Sequence, residues 1–205
     1  PKSITLYDYP KSSAAYRVRI ALNLKGIDYQ SVKVDLLAKN QSSHFYLATN
    51  PQGLVPSLVV GNQVISNQQS LAIIEWLEDT YPQHPLLPSN PTEKAQLRAQ
   101  TYAIVADTHP LNNLRVLTYL VAELGHDNAE KMAWYRHWIK LTFAALEIQL
   151  SASSLSNTAN LLDTVLVPQV FNAHRFAIDM MPYPTIQQRV DWCNQQPAFE
   201  KAHPD

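Results

Sequence analysis

Glycine and cysteine are both scarce in this sequence, and each scarcity excludes a class of site. The four glycines form neither the G-x-G-x-x-G pattern of dinucleotide-binding folds nor a phosphate-binding P-loop. The single cysteine, Cys193, excludes an internal disulfide and a zinc site built from cysteines, and it fits a reducing compartment. The seven histidines are scattered without metal-ligand spacing, so no metal site is predicted.

The sequence also has no excess of basic over acidic residues or of acidic over basic residues that would give the protein a large net charge. The 16 basic and 17 acidic residues leave a formal net charge of -1, so we expect no electrostatic attraction to nucleic acid or to an anionic membrane. No hydrophobic run has the length of a transmembrane helix, and no signal-peptide pattern follows Pro1. We therefore expect a cytoplasmic protein with neither a nucleic-acid nor a membrane partner.

Apolar residues, by contrast, make up 46% of the chain, and their periodicity changes along it. The first part alternates strand and helix patterns in the order β-α-β, short helix, β-β-α, whereas only helical patterns follow residue 91. A proline-rich stretch separates the two parts, because a helix cannot pass through it. We predict an α/β domain at 1–81, a linker at 82–90 and an all-helical domain at 91–205.

Side-chain caps predict where the helices of the second part begin. The paired residues stand three positions apart: Asn90 with Glu93, Asp127 with Glu130, Asn160 with Asp163, and Thr185 with Gln188. A long helical pattern from Pro91 to about Leu124 contains Pro110, which should kink or break it.

Ser12 and Ser13 stand immediately before a helical pattern that ends at Gly26. Either hydroxyl can accept a hydrogen bond from a free N–H of the first turn. The helix dipole and the remaining N–H groups favour an anion there, and a hydroxyl in that position can hold a small thiolate. The alternative is that the serines only cap the helix.

Two further segments offer backbone groups to a ligand. Residues 50–56 read NPQGLVP, in which Gly53 permits a turn and Pro56 precedes a strand. Backbone groups beside a cis Val55–Pro56 bond could pair with an extended peptide, the alternative being an ordinary turn before proline. Gln69 and Ser70 cap a second helix, whose N-terminus is also favourable to an anion.

Six segments together resemble the zeta class of the cytosolic glutathione transferases, the family of the maleylacetoacetate isomerases. Residues 12–22, SSAAYRVRIAL, are similar to its S-S-C-x-[WY]-R-V-R-I-A-L signature; the others are 50–56, 69–75, 110–114, 166–173 and 182–186. The resemblance implies the cytosolic glutathione transferase fold, with an α/β thioredoxin-like N-terminal domain and an all-α C-terminal domain. It also implies a homodimer, in which the N-terminal domain of one subunit faces the helical domain of the other.

The same resemblance implies glutathione as the cofactor and gives roles to individual residues. Ser12 would stabilise its thiolate, and Val55, before a cis Pro56, would pair with its cysteinyl backbone. Gln69 and Ser70 would hold its γ-glutamyl carboxylate, and Gln41 would touch its glycyl end. The resemblance adds further cofactor-site positions: Ser13, Ala14, Ala15, Tyr16 and Arg17 in the first domain, and His109, Asn113, Leu114 and Arg115 in the second.

The implied activity is the cis–trans isomerisation of maleylacetoacetate to fumarylacetoacetate in aromatic amino acid catabolism, alongside glutathione transfer to small acids. Arg17 and Arg175 are candidates for the two acidic ends of the substrate, with a surface or structural ion pair as the alternative for Arg175. The alternative function is that of a glutathione-binding dimeric protein with reduced or lost isomerase activity.

The sequence departs from the family pattern at three places. Ala14 stands where the family has cysteine, and Ala15 stands where it usually has serine. The connection at 66–70 is two residues longer, so that Gln68 could replace Gln69. The stretch 151–158 is several residues shorter than its counterpart, although Asn160 keeps its capping role.

Overall fold

A computed structural model describes residues 2–67, 69–152 and 156–204. The chain divides into two compact units, one made of Pro1–Leu86 with Gln195–Asp205 and the other of Leu87–Asn194. Within the described ranges, no helix is long and apolar enough to cross a membrane. Gln68 and part of the shortened 151–158 stretch lie outside those ranges.

A four-stranded sheet forms the centre of the first unit, as far as the structure describes it. Its strands are β1 (Ile4–Asp8), β2 (Gln30–Lys33), β3 (Ser57–Val60) and β4 (Gln63–Asn67). The spatial order is β2-β1-β3-β4, with β1 parallel to β2 and antiparallel to β3, and with β3 antiparallel to β4. Alternate residues of β1 are buried, as expected of a strand packed on one face. All four predicted strands are therefore confirmed.

Three of the helices in this unit were predicted. They are α1 (Ser13–Leu24), α2 (His44–Thr49) and α3 (Ser70–Thr80). Ser12 caps α1, and Gly26 follows its end with φ +65°, a conformation that suits glycine. Gln69 precedes α3, but its side chain makes no capping hydrogen bond within the described chain, contrary to the prediction.

A further helix, α9 (Pro197–Ala202), belongs to this first unit and packs on α1. Arg19 Nε donates to the carbonyl of Ala202 at 2.9 Å, and Asn23 Nδ2 donates to the carbonyl of Ala198 at 3.0 Å. The predicted helical domain at 91–205 therefore differs from the structural unit, because these long-range bonds join the last helix to the first one.

The second unit contains α4 (Pro91–Tyr102), α5 (Leu114–Ala122), α6 (Asn128–Ser151), α7 (Leu161–Arg175) and α8 (Pro184–Asn194). The predicted caps of α4, α6 and α7 are confirmed: Asn90, Asp127 and Asn160 each accept a hydrogen bond from a backbone N–H of the first turn. The expected break near Pro110 is also confirmed. A π-helical turn at Ala103–Thr108 and a short loop separate α4 from α5.

The predicted cap at Thr185 is wrong, because α8 begins one residue earlier, at Pro184. The backbone N–H groups of Thr185 and Ile186 instead donate to the two carboxylate oxygens of Glu147, at 2.8 and 3.0 Å. A negative side chain at a helix N-terminus complements both the free N–H groups and the dipole. The capping group is thus supplied by α6 rather than by the adjacent sequence.

Candidate functional site

The start of α1 presents the hydroxyl of Ser12, whose hydrogen has no acceptor among the described residues. Ser12 Oγ accepts a hydrogen bond from Ala15 N at 3.3 Å, and Ser12 N donates to the carbonyl of Tyr9 at 2.9 Å. A serine hydroxyl can donate one bond while accepting another. Ser12 is only partly buried, and the first turn of α1, which is fully described, contains no acidic residue. Capping the helix and donating to an anion are therefore compatible roles for Ser12.

The loop that carries Ser12 is fixed from behind by Arg19. Its Nη1 contacts the carboxylate of the buried Asp8, and its Nη2 donates to the carbonyl of Pro10 at 3.0 Å. One planar guanidinium therefore joins the end of β1 to the loop that follows it. This arrangement limits how far the Ser12 hydroxyl can move.

The loop at residues 50–56 forms a second edge of the candidate site. The Val55–Pro56 bond is cis, as the resemblance implies. The carbonyl of Leu54 accepts hydrogen bonds from Asn50 Nδ2 and from the hydroxyl of Tyr46, both at 2.6 Å. Asn50 Oδ1 also accepts from Gln52 N at 3.0 Å, so its buried amide spans the turn.

Tyr46 is packed under this loop and keeps its proton. It forms a buried apolar cluster with Val34 and Val55. Burial raises the pKa of Tyr46 above its ordinary value, although hydrogen bonds with Ser57 and Asn50 act in the opposite direction. Since its single O–H donates to the carbonyl of Leu54, the Ser57 hydroxyl donates to Tyr46 Oη across their 3.0 Å contact.

Gln41 lies close to this loop through its main chain. It is part of the short 3-10 helix Asn40–Ser42, and its backbone carbonyl faces Gly53 so closely that a Cβ on Gly53 would lie 2.9 Å from it. Gly53 also has φ +61°, a conformation that glycine adopts without strain. The side-chain Oε1 of Gln41 is buried and has no hydrogen-bond partner within the described chain.

The start of α3 brings two of the candidate residues into contact. Arg17 Nη1 donates to Ser70 Oγ at 3.3 Å, and both residues are buried. Burial lowers the pKa of Arg17 to about 9, because desolvation disfavours the charged form. Gln69, the residue before α3, is exposed. The structure thus places a cation behind the helix terminus at which an anion was predicted.

The remaining candidates belong to the helical unit. Asn113 caps α5 by accepting from Arg115 N at 3.1 Å, and Leu114 and Arg115 are exposed. His109 follows the π-helical turn, and its backbone N–H donates to the carbonyl of Ile104 at 2.8 Å.

Arg175, near the end of α7, is exposed. Its Nη1 donates to Asn172 Oδ1 at 3.2 Å, and its guanidinium lies over the rings of Phe171 and Phe176. The surface ion pair considered for it is absent among the described contacts, since its polar partner is an amide.

Sequence reasoning missed four residues that support the first unit: Asp8, Arg19, Tyr46 and Asn50. Arg19 stands within the apolar run of α1, and a charged residue at a position expected to be buried was the available signal. Asn50 lies within the NPQGLVP segment, where an Asn before a turn often bonds to the backbone two residues on. Nothing local indicated that Tyr46 would reach the carbonyl of Leu54.

Taken together, the first unit offers donors for an extended, negatively charged peptide. It has a hydroxyl at the N-terminus of α1, a cis-proline loop with a fixed backbone, and a helix start backed by a guanidinium. A helix N-terminus with a hydroxyl donor stabilises a thiolate relative to a thiol. These features suit a thiol-containing anionic ligand.

Comparison with known proteins agrees with this arrangement. The glutathione S-transferase N-terminal domain family matches residues 6–85. A probable maleylacetoacetate isomerase from Vibrio cholerae serotype O1 is 46% identical over 99% of this chain and 96% of its own length.

Two solved structures are similar along almost the whole chain. The holo structure of a maleyl pyruvate isomerase, a bacterial glutathione S-transferase in the zeta class, has a TM-score of 0.94 at 40% identity, covering 98% of this chain and 96% of the other. A maleylacetoacetate isomerase from Methylobacterium extorquens AM1 with bound malonate and GSH has a TM-score of 0.92 at 35% identity, with the same two coverages, 98% and 96%.

Proposed function

We propose that this chain, which belongs to the zeta-class family of glutathione transferases and maleylacetoacetate isomerases, is a glutathione-dependent cis–trans isomerase. The observation that carries the proposal is the Ser12 hydroxyl, which caps α1 and keeps its hydrogen for a ligand. The substrate is maleylacetoacetate and the product is fumarylacetoacetate, a step in aromatic amino acid catabolism. Glutathione transfer to small acids is a second activity of the same site.

The residues of the first unit fit glutathione. Nε and Nη2 of the buried Arg17 guanidinium have no hydrogen-bond partner within the described chain, which suits a ligand with a carboxylate near the start of α3. When bound, glutathione supplies a thiolate that adds reversibly to the cis double bond, so that the resulting single bond can rotate before the thiolate leaves.

Each site residue has a task in this reaction. Ser12 donates to the sulfur and lowers the pKa of the thiol, helped by the N-terminus of α1. Val55 pairs through its backbone with the cysteinyl residue, Gln69 and Ser70 hold the γ-glutamyl carboxylate, and Gln41 contacts the glycyl end. Ala14 and Ala15 contribute no polar side chain, so the chemistry of this turn depends on Ser12.

Residues of the helical unit remain proposals for the substrate side. His109, Asn113, Leu114 and Arg115 follow from the resemblance, and Arg175 is the candidate for a substrate carboxylate because its guanidinium is exposed. Substituting Arg175→Met should raise KM for the substrate and leave KM for glutathione unchanged. The exposed Arg136 offers the matched control, Arg136→Met.

We also propose a homodimer in the cytoplasm, where glutathione is available. Apolar side chains exposed in both units support self-association: Phe45 is 74% exposed, and Ile148 of α6 is 71% exposed. Light scattering should give twice the monomer mass, and a Phe45→Ser, Ile148→Ser double variant should shift the mass toward the monomer. An unchanged monomer mass in the parent protein would contradict the dimer.

The decisive experiment is turnover of maleylacetone, a stable analogue of maleylacetoacetate, with glutathione. Ser12→Ala should lower kcat by about a hundredfold or more, as removal of one donor to a developing anion commonly does. Ser12→Thr, which keeps a hydroxyl, should retain far more activity. Asn90→Ala removes the cap of α4 instead and controls for the loss of a helix cap alone.

Two other outcomes would change the assignment. Glutathione binding without turnover of maleylacetone or maleylpyruvate would favour the alternative, a dimeric glutathione-binding protein that has lost the reaction. The replacement of two polar residues by Ala14 and Ala15 is the feature that would explain such a loss. Absence of glutathione binding would contradict both functions.

A further inference from the structure

Arg17 is a buried cation that has no counter-ion among the described residues. Its side chain lies in the interior of the first unit with only 1% of its surface exposed. Nη1 donates to Ser70 Oγ at 3.3 Å, whereas Nε and Nη2 are buried and have no hydrogen-bond partner among the described residues. No described carboxylate forms an ion pair with Arg17.

Two other buried arginines of the same chain show what an ordinary structural arginine does. Arg19 pairs with Asp8 at 2.7 Å, and Arg189 pairs with Asp163 at 2.6 Å. A buried charge that lacks such a partner is strongly unfavourable, because its hydration is not replaced. The unpaired charge of Arg17 therefore destabilises the protein when no ligand is bound. This indicates that the counter-ion is an anion supplied by a ligand.

The contact between Arg17 and Ser70 determines which of the two groups donates the hydrogen bond. A guanidinium is only a donor, so Ser70 Oγ must accept from Arg17. The hydrogen of the Ser70 hydroxyl is then directed to another acceptor. Ser70 is the first residue of α3, an 11-residue helix whose first turn contains no acidic side chain in the described structure. The hydroxyl, the free N–H groups of that turn and the cation all favour an anion at this place.

We propose that Arg17 is a positioning residue for the γ-glutamyl α-carboxylate of glutathione, acting through Ser70 and through its own positive charge. The inference rests on the proposed cofactor and deepens it. It replaces the direct substrate contact that the resemblance suggested for Arg17, because the guanidinium lies behind Ser70 and is shielded from solvent. Arg17 holds the hydroxyl in its donating orientation, and the carboxylate compensates the buried charge.

Two analogues of glutathione separate the contribution of the α-carboxylate from that of the neighbouring amino group. In γ-aminobutyryl-cysteinyl-glycine the α-carboxylate of the glutamyl residue is replaced by hydrogen, while its amino group remains. Glutaryl-cysteinyl-glycine lacks the amino group and keeps the carboxylate. Calorimetric titration of the full chain with glutathione and these two analogues gives three dissociation constants for each variant.

Arg17→Met keeps an unbranched side chain and removes the charge. We expect it to bind glutathione and the glutaryl analogue about tenfold or more weakly, the loss of one charge-assisted contact, and to bind the aminobutyryl analogue as the parent does. KM for glutathione should rise with little change in kcat. The unfolding midpoint in urea without ligand should not fall, since an uncompensated buried charge is removed. A merely structural arginine would give the opposite pattern, a lower midpoint and equal losses for all three ligands.

Ser70→Ala provides a second variant that leaves Arg17 in place. It should show the same selectivity for ligands with the carboxylate, and the double variant should lose less than the sum of the two single losses, because the residues act in one chain. Arg136→Met, at an exposed arginine, is the matched control and should bind all three ligands normally.

The failures of the two proposals can be told apart. If the parent protein does not bind glutathione, the proposed function and this inference both fall. If the parent binds glutathione and Arg17→Met binds it equally well, or loses affinity equally for all three ligands, the inference on Arg17 is overturned while the proposed cofactor stands. If Arg17→Met does not fold, additive losses in Ser70→Ala combined with Arg17→Lys would overturn the inference as well.

Discussion

Nη1 of Arg19 contacts both carboxylate oxygens of Asp8, at 2.7 Å and 2.9 Å. The other two nitrogens of the same guanidinium donate to the carbonyls of Pro10 and Ala202. A single buried side chain therefore holds the end of β1, the loop before Ser12 and the last residue of α9. The stability of the candidate site should depend on this one arginine.

Arg19→Met should lower the free energy of unfolding by about 3–5 kcal/mol, because it leaves the buried Asp8 carboxylate without its counter-ion. Urea unfolding followed by circular dichroism measures the loss. Lys33→Met is the matched control, since Lys33 forms an exposed pair with Asp35 at 3.6 Å, and such pairs contribute little to stability. Equal losses in the two variants would contradict the structural role of Arg19.

Tyr46→Phe should weaken glutathione binding without abolishing catalysis. The variant removes the hydroxyl that donates to the carbonyl of Leu54 at 2.6 Å and accepts from Ser57 at 3.0 Å. We expect a loss of about 1–3 kcal/mol of stability, chiefly because the buried Ser57 hydroxyl loses its acceptor, whereas the carbonyl of Leu54 keeps its bond from Asn50 Nδ2. KM for glutathione should rise more than kcat falls, since Val55 follows Leu54 directly. Tyr119→Phe, at a largely exposed tyrosine of α5, should change neither quantity.

Gly53→Ala and Gly125→Ala separate a steric clash from a conformational penalty. Both glycines have positive φ, +61° and +73°, so both substitutions should cost about 1 kcal/mol from the left-handed backbone. Only at Gly53 would the new Cβ meet another atom closely, the carbonyl oxygen of Gln41 at 2.9 Å. Thermal unfolding should therefore show the larger loss for Gly53→Ala, together with weaker glutathione binding. Similar losses for the two variants would contradict a close approach at Gly53.

Cys193 should be unreactive until the chain unfolds. It is buried in α8, and burial raises the pKa of its thiol well above the ordinary value, so the reactive thiolate is disfavoured in the folded protein. A thiol reagent at pH 8 should label it far more slowly than it labels the protein in urea. Fast labelling of the folded protein would contradict this environment.

The same shift determines the sign of a pH effect on stability. Above a pKa of about 8.5 the unfolded chain loses the thiol proton, whereas the folded chain keeps it. The folded state then binds more protons, so the free energy of unfolding falls as pH rises. Between pH 8 and 10 this fall should be smaller in Cys193→Ala than in the parent protein. An identical pH dependence in both would show that Cys193 makes no contribution.

How much of the molecule could be predicted depends on how far apart the interacting residues stand in the chain. Asn90, Asp127 and Asn160 cap the helices that follow them, because capping requires a side chain within about three residues of the first turn. The cap of α8 could not be predicted, since Glu147 stands 38 residues before Thr185. The local pattern of Thr185 and Gln188 predicted a helix that begins after Thr185. The tertiary contact with Glu147 caps the helix instead.

The residues of the candidate site also fall into two groups, those that local sequence patterns predict and those that depend on tertiary packing. Ser12 and Ser70 could be placed at helix starts from local patterns alone, and the cis bond at Pro56 was implied by the resemblance. The supports behind them, Tyr46 under the loop and Arg17 behind Ser70, follow from how α1, α2 and α3 come together. A single sequence contains no information on such tertiary contacts between helices. The burial of Arg17 could therefore be seen only in the structure.

The packing of α9 on α1 affects how the protein is made. The carbonyl that Arg19 Nε contacts belongs to a residue 183 positions later, and the whole helical unit lies between them in sequence. A ribosome therefore releases the strands of the sheet long before the helix that covers α1 exists. Throughout the synthesis of the helical unit, α1 therefore lacks one of the helices that pack on it. A fragment expressed as residues 2–86 would stay in that unfinished state.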